Sequence, residues 1–223
     1  MSKNSQITQE SNDAIETNFN GSNLNQQSSN LIHGKVVFVG TTGVGKTSLI
    51  AAFQKHDINQ PPTVGANSIT CSVDCNDEKV LLNIWDTAGQ EEFKFLMPAF
   101  ARGAEVAVVV FDMSRSSTFD CVAEWVTFFL ETIPPSNILL VGNKIDLPID
   151  VSEEVIFDYR TSKNILFFRT SAVSHEGITE LFFQIAQCVQ NTSQVHVLDN
   201  SNAVVFSNDS CLASPPKQNN NCC

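Results

Sequence analysis

Four short stretches of this 223-residue chain carry residue types that could bind and cleave a phosphate chain. The first is Gly40-Thr41-Thr42-Gly43-Val44-Gly45-Lys46-Thr47, which fits the pattern glycine, four residues, Gly-Lys-Ser/Thr. It follows the apolar run Val36–Val39 and leads into Ser48-Leu49-Ile50-Ala51-Ala52-Phe53, which reads as a helix. Strand, glycine loop and helix together make the pattern a phosphate site. Gly43 and Gly45 let the backbone curl with positive φ, so successive N–H groups face an anion. The helix N-terminus adds partial positive charge. Lys46 can reach terminal phosphates, and the Thr47 hydroxyl can ligate Mg²⁺, which favours oxygen donors.

The second stretch is Trp85-Asp86-Thr87-Ala88-Gly89-Gln90, at the end of a strand-like run. Asp86 is placed to hold a Mg²⁺-bound water beside the glycine loop. Gly89 can bring its N–H to a γ-phosphate, and Gln90 can orient an attacking water. The third is Asn143-Lys144-Ile145-Asp146 after the apolar run Leu139–Gly142. A carboxylate here can accept two hydrogen bonds from guanine; adenine lacks that donor pair and would leave Asp146 unpaired. The fourth is Thr170-Ser171-Ala172, whose backbone N–H groups could reach the guanine O6 while Ser171 braces Asp146.

The elements that must position these stretches alternate. Strands are expected at 35–40, 68–73, 80–85, 106–111, 138–141 and 165–168. Helices are expected at 47–53, 117–131, 152–161 and 176–190, with a short one at 91–100 broken by Pro98. Ser152 should cap its helix. Asn76-Asp77 marks a hairpin turn joining the second and third strands. The pattern predicts an α/β P-loop NTPase fold in three layers. Its six-stranded sheet is mostly parallel, with one antiparallel edge strand and helices on both faces.

The flanks are different in composition. Residues 1–33 are rich in Asn, Ser and Gln without sustained period and read as a disordered extension; residues 191–223 read as a flexible tail. The domain between them spans 34–190. A net charge of −11 argues against nucleic acid as a partner. The first residues begin no apolar run, so a cytoplasmic location is expected. Cys71 and Cys75 read as small reduced residues facing one side of a strand.

In order and spacing the four stretches resemble the Ras-like small GTPases, over about residues 35–190. Trp85 to Gln90, the run Pro98-Ala99-Phe100-Ala101-Arg102-Gly103-Ala104 and the terminal Cys222-Cys223 are most similar to the Rab family. That resemblance implies GTP or GDP as the bound nucleotide and Mg²⁺ as cofactor. Thr42 to Ser48, Val44 included, would then surround the phosphates, with Ser48 at the α-phosphate and Lys46 acting on the β- and γ-oxygens. Thr63, in Pro62-Thr63-Val64-Gly65, would join Thr47 and Asp86 at the metal in the GTP state. Gly89 and Gln90 would open the second switch, with Gln90 catalytic alongside Lys46. Asn143, Lys144 and Asp146, with Ser171, Ala172 and the neighbouring Val173, would surround guanine.

The same resemblance implies an exchange factor, a GTPase-activating protein, an escort or GDI-type chaperone and trafficking effectors acting on a monomer. Cys222 and Cys223 would carry prenyl groups holding the chain to the cytoplasmic face of an endomembrane; two lipids anchor far better than one. Several positions depart from the Rab pattern. Lys46 and Thr63 are 17 positions apart, a shorter spacing. No aromatic lies between Phe53 and Thr63 to flank the base, and His56 is a poor substitute. Asn67-Ser68 replaces an Asp-Phe pair, leaving Trp85 and Phe100 in the effector-facing cluster. Glu92 replaces an arginine, Val173 replaces a lysine, and Thr42 brings bulk near the γ-phosphate. Two other readings stay open: a GTP-binding scaffold that hardly hydrolyses, and a Ras-type signalling GTPase.

Overall fold

The structure, a computed structural model, describes residues 31–89 and 95–201, of which 195–201 are described as backbone only. The chain begins with β1 (Ile32–Val39) and α1 (Lys46–Phe53), then the strands β2 (Ala66–Cys75) and β3 (Glu78–Thr87). Next come α2 (Met97–Ala101), β4 (Val106–Asp112), α3 (Ser116–Asp120) and α4 (Val122–Leu130). A 3₁₀ turn (Pro135–Asn137) leads to β5 (Ile138–Asn143), α5 (Glu153–Lys163), β6 (Leu166–Arg169) and α6 (Ile178–Ser201).

The six strands form one sheet in the order β2-β3-β1-β4-β5-β6. All neighbours are parallel except β2 and β3, so the antiparallel strand sits at an edge as expected. The sequence dictates this arrangement. β4 and β5 are apolar up to a closing Asp112 and Asn143, with every residue buried, which requires cover on both faces. β2 instead alternates toward its end, as a strand with one wet face should. Asn76 (φ 50°) and Asp77 (φ 64°) are both left-handed, the pair a two-residue hairpin turn needs.

β1 divides two cores by its period of two. Val36 and Phe38 join Leu49, Phe182 and Val189 under α1 and α6. Val37 and Val39 join Met113, Val126 and Phe129 under α2 to α5. Phe53 of α1 stacks on Phe182 of α6 with centroids 3.9 Å apart. Burying each such ring contributes about 1.5–3 kcal/mol. Gly34 of β1 has no room for a side chain: a Cβ there would meet Val189 Cγ1 of α6 at 2.3 Å. The last helix is therefore seated directly on the strand that ends in the glycine loop.

Five features differ from the sequence reading. Pro98 opens α2 at its first turn, where its missing N–H costs nothing, rather than breaking a helix. The helix expected at 117–131 is two pieces meeting at Cys121. Its first piece is tied to β4 through Thr118 Oγ1, which accepts the Asp112 N–H at 2.9 Å; the second is held by Val122, Trp125, Val126 and Phe129. Ser152 occupies the cap position of α5 but makes no side-chain capping bond. α6 runs past Gln190 to Ser201. In its polar continuation Thr192 and Ser193 satisfy their hydroxyls within the helix, donating back to the carbonyls of Cys188 (2.9 Å) and Val189 (3.1 Å). Thr192 also accepts from Asn137 at 3.0 Å. At the other end β1 starts at Ile32, two residues inside the segment read as an extension. The rest of that extension, residues 1–30, lies outside the described residues, as do 202–223 of the tail.

Candidate functional site

The C-terminal ends of β1, β3 and β5 meet at a cavity of about 280 Å³. Thr42, Gly43, Gly45, Lys46, Thr47 and Ser48 line one side of it; Thr63, Gly89 and Lys144 line others. Gly43 (φ 79°) and Gly45 (φ 98°) adopt the positive φ their positions call for. Gly45 caps α1, so the helix N-terminus opens on the cavity. Val44 is fully buried and anchors the loop in the core.

Lys46 folds back over this loop, with Nζ donating to the carbonyls of Gly40 (2.8 Å) and Thr41 (3.2 Å). Burial pushes its amine down to about 8, only partly opposed by the Asp86 carboxylate. A cation held this far from water is poised to gain from an incoming anion.

Three oxygens converge beside it. Thr47 Oγ1 donates to Asp86 Oδ2 at 2.6 Å, and Thr63 Oγ1 lies 3.1 Å from the same carboxylate oxygen and 2.9 Å from Thr47 Oγ1. Asp86 Oδ1 is buried with no hydrogen-bond partner among the described residues. Burial raises the Asp86 carboxyl, against the hydroxyls of Thr47 and Thr63 and the charge of Lys46. An all-oxygen set with one uncommitted carboxylate oxygen fits a hard divalent cation such as Mg²⁺. Thr63 reaches this point although its loop is short. Asp57 turns that loop by accepting from Asn59 N at 2.9 Å, and Ser48 Oγ donates to the Ile58 carbonyl at 3.0 Å. Gly89 fits only as glycine, since a Cβ would sit 2.4 Å from Thr41 C and 2.5 Å from Thr42 N. Gln90 lies outside the described residues.

At the far side, Ser171 Oγ donates to Asp146 Oδ1 at 2.5 Å. Ser171 is itself buried and accepts from Val173 N (3.2 Å) and Ser174 N (3.0 Å). Asp146 is exposed, leaving its edge open to a base, and Ala172 is buried beside it. Lys144 takes a left-handed backbone (φ 67°) and pairs with Asp112 Oδ2 at 2.7 Å. Burial alone would raise Asp112, but the bonds from Lys144 and Ser114 hold its carboxyl below the usual range. Asn143 has a structural role beside its expected one. Its amide is engaged with protein at both ends, donating to the Val44 carbonyl at 2.9 Å and accepting from Thr170 Oγ1 at 3.2 Å. It braces the glycine loop against the segment that follows β6.

A family model described as the Ras family matches residues 35–191, from β1 into α6. This chain belongs to the Ras family. Within it, the chain is a divergent Rab-type small GTPase, most of whose length aligns with Rab proteins. It is 38% identical to mouse (Mus musculus) Ras-related protein Rab-22A over 163 residues, 71% of this chain and 84% of that one. It is 37% identical to rat (Rattus norvegicus) Ras-related protein Rab-31 over 185 residues, 80% and 94% of the two chains. It is 35% identical to the fission yeast (Schizosaccharomyces pombe) Ypt/Rab-type GTPase ypt71 over 206 residues, 85% and 95%.

The departures from the Rab pattern can be placed on this Ras-family fold. His56 does not line the main cavity; it borders a separate one with Phe53 and His175. Val173 is 64% exposed, so its apolar side chain faces solvent where the pattern has a cation. Thr42 is exposed at the mouth. Trp85 and Phe100 do meet, at 5.8 Å between centroids, and Lys35 Nζ sits 4.8 Å from the Trp85 ring centre. Sequence reasoning missed Asp112, Thr87 and Arg115. Thr87 Oγ1 donates to the Phe38 carbonyl at 2.7 Å and locks β3 to β1. Asp112 carried a signal that could have found it: it is an acid closing an otherwise apolar strand. Cys222 and Cys223 lie outside the described residues. Among the described helices none is long and apolar enough to cross a membrane.

Proposed function

We propose that this chain is a GTP/GDP switch of vesicle trafficking that hydrolyses GTP to GDP and phosphate and is held on an endomembrane by prenylated Cys222 and Cys223. Its GTPase domain is residues 34–190, flanked by the extension 1–33 and the tail 191–223. The observation that carries this reading is the convergence of Thr47, Thr63 and Asp86 oxygens within 3.1 Å, beside Lys46.

The chain's own residues divide the work. The N–H groups of Gly43 to Lys46 hold the phosphate chain, Ser48 contributes at the α-phosphate, and Lys46 neutralises charge on the β- and γ-oxygens. Thr47, Thr63 and Asp86 would hold Mg²⁺, which supplies electrostatic stabilisation to the phosphate oxygens. Gly89 N–H approaches the γ-phosphate, and Gln90 orients the water for in-line attack. Asp146, braced by Ser171, reads the guanine edge, with Lys144, Ala172 and Val173 around the base. Intrinsic turnover is slow, and a GTPase-activating protein would add about 10³–10⁵ in rate. An exchange factor, an escort chaperone and effectors at Trp85 and Phe100 complete the cycle, with the chain acting as a monomer.

Two measurements test this. Single-turnover hydrolysis should be measurable with GTP and depressed in Gln90→Leu; equal, near-zero rates in both would favour the scaffold reading. Membrane fractionation should lose the chain on Cys222→Ser with Cys223→Ser, and unchanged association would remove the anchor.

A further inference from the structure

Arg115 stands just ahead of α3, and none of the roles above uses it. Its Nη2 donates to the Thr42 carbonyl at 3.2 Å and comes within 3.9 Å of the place a Cβ on Gly43 would take. The root of this arm is fixed. Arg115 N donates to the Asp112 carbonyl at 3.0 Å, and the Arg115 carbonyl accepts from Thr118 N (3.1 Å) and Thr118 Oγ1 (2.8 Å). Asp112 is held in turn by Ser114 (2.6 Å) and by Lys144 (2.7 Å).

The acceptor matters because of what shares its peptide plane. In a trans peptide the Thr42 C=O and the Gly43 N–H point in opposite directions. A guanidinium holding that oxygen fixes the Gly43 N–H on the opposite side of the peptide, at a residue that lines the cavity. Glycine at φ 79° leaves this peptide free to turn over at small cost, so a pin has something to prevent. Donation to the carbonyl also polarises the amide and strengthens the N–H as a donor.

We propose that Arg115 is a positioning residue for the phosphate chain of a bound nucleoside di- or triphosphate, acting through the Thr42–Gly43 peptide. This rests on the guanine-nucleotide reading above. The ligand feature it serves is the phosphate beyond the first, so its effect should separate diphosphates from monophosphates.

The experiment uses the full chain with Mg²⁺, as the native protein, Arg115→Ala and Arg115→Lys, with affinities for GDP and GMP measured by competition against fluorescent GDP. Arg115→Ala should bind GDP about tenfold more weakly while GMP affinity moves by less than about twofold. Arg115→Lys should recover part of the loss, because an ammonium can donate to the same carbonyl. An unchanged GDP-to-GMP ratio in Arg115→Ala overturns the proposal, as does an equal loss for both nucleotides, which marks a general loosening of the fold. A lysine variant no better than alanine overturns it as well. If the native chain binds neither nucleotide, the guanine-nucleotide reading fails and takes this inference with it; a native chain that binds while the ratio stays put sinks the arginine alone.

Discussion

Replacing Asn143 with alanine should cost this protein stability before it costs it any contact with a base. The side chain is 1% exposed, and its two bonds join Val44, which is wholly buried, to Thr170, also wholly buried. Two such bonds contribute roughly 1 kcal/mol each, and each buried group left without a partner costs about 1–3 kcal/mol more. Partial collapse of the neighbouring loop would recover some of this, so a net loss of about 2–4 kcal/mol is expected. For a chain of this size that is a fall of about 5–15 °C in the unfolding midpoint. Thermal unfolding followed by circular dichroism would read it, with and without saturating GDP. Asn143→Asp sharpens the test. It keeps an acceptor for Thr170 but turns a carboxylate toward the Val44 carbonyl, so it should fall at least as far as alanine. A midpoint within about 2 °C of native for Asn143→Ala, or an aspartate variant more stable than alanine, would refute the strut.

Two further outcomes follow from the cavity. The folded Lys46 amine releases its proton near 8 and the unfolded one near 10.5, so between these values the unfolded chain holds more protons. Stability of the nucleotide-free protein should therefore rise with pH in that window, by about 2 kcal/mol from pH 8 to pH 10 relative to Lys46→Met in urea unfolding. Equal slopes for the two proteins would contradict the burial of a charged amine. Gly89→Ala drives a methyl group against backbone atoms at 2.4, 2.5 and 2.6 Å, so the glycine loop must shift. GDP should dissociate at least about tenfold faster, as a misplacement of about 1 Å has large effects on positioned groups; an unchanged rate would show that the two loops part easily.

The fold was legible where a local signal sufficed. The buried run Val106–Phe111, the Asn76-Asp77 turn and the positive φ at Gly43 and Gly45 each follow from the residues alone. The carboxylate–serine pair of Asp146 and Ser171 was also readable, because each closes an apolar strand's loop. What escaped depends on partners distant in the chain. Arg115 and Thr42 lie 73 positions apart, and nothing near either announces the other. Thr118 ties the first piece of the divided helix to Asp112, a demand invisible in the period of the apolar residues around it. Polar Thr192 and Ser193 read as the start of a tail, yet α6 continues through them, and Thr192 is tied to Asn137, 55 positions away. Pro98 was misjudged because a proline stops a helix or starts one according to position.

The contact between Gly34 and Val189 has a mechanical corollary. The 24 residues of α6 form a rod about 36 Å long, and it bears on β1 with no slack between them. A pull at the far end of that rod is delivered to a strand paired on both sides, to β3 and β4, and is shared across the sheet. The stretch from Gln54 to Gly65 starts beside Phe53, whose ring stacks on Phe182 of α6 at 3.9 Å, so its root shares that load, while Thr63 stands near its far end. A load carried by α6 is therefore split between the sheet, through Gly34, and α1, through Phe53, rather than borne at one point.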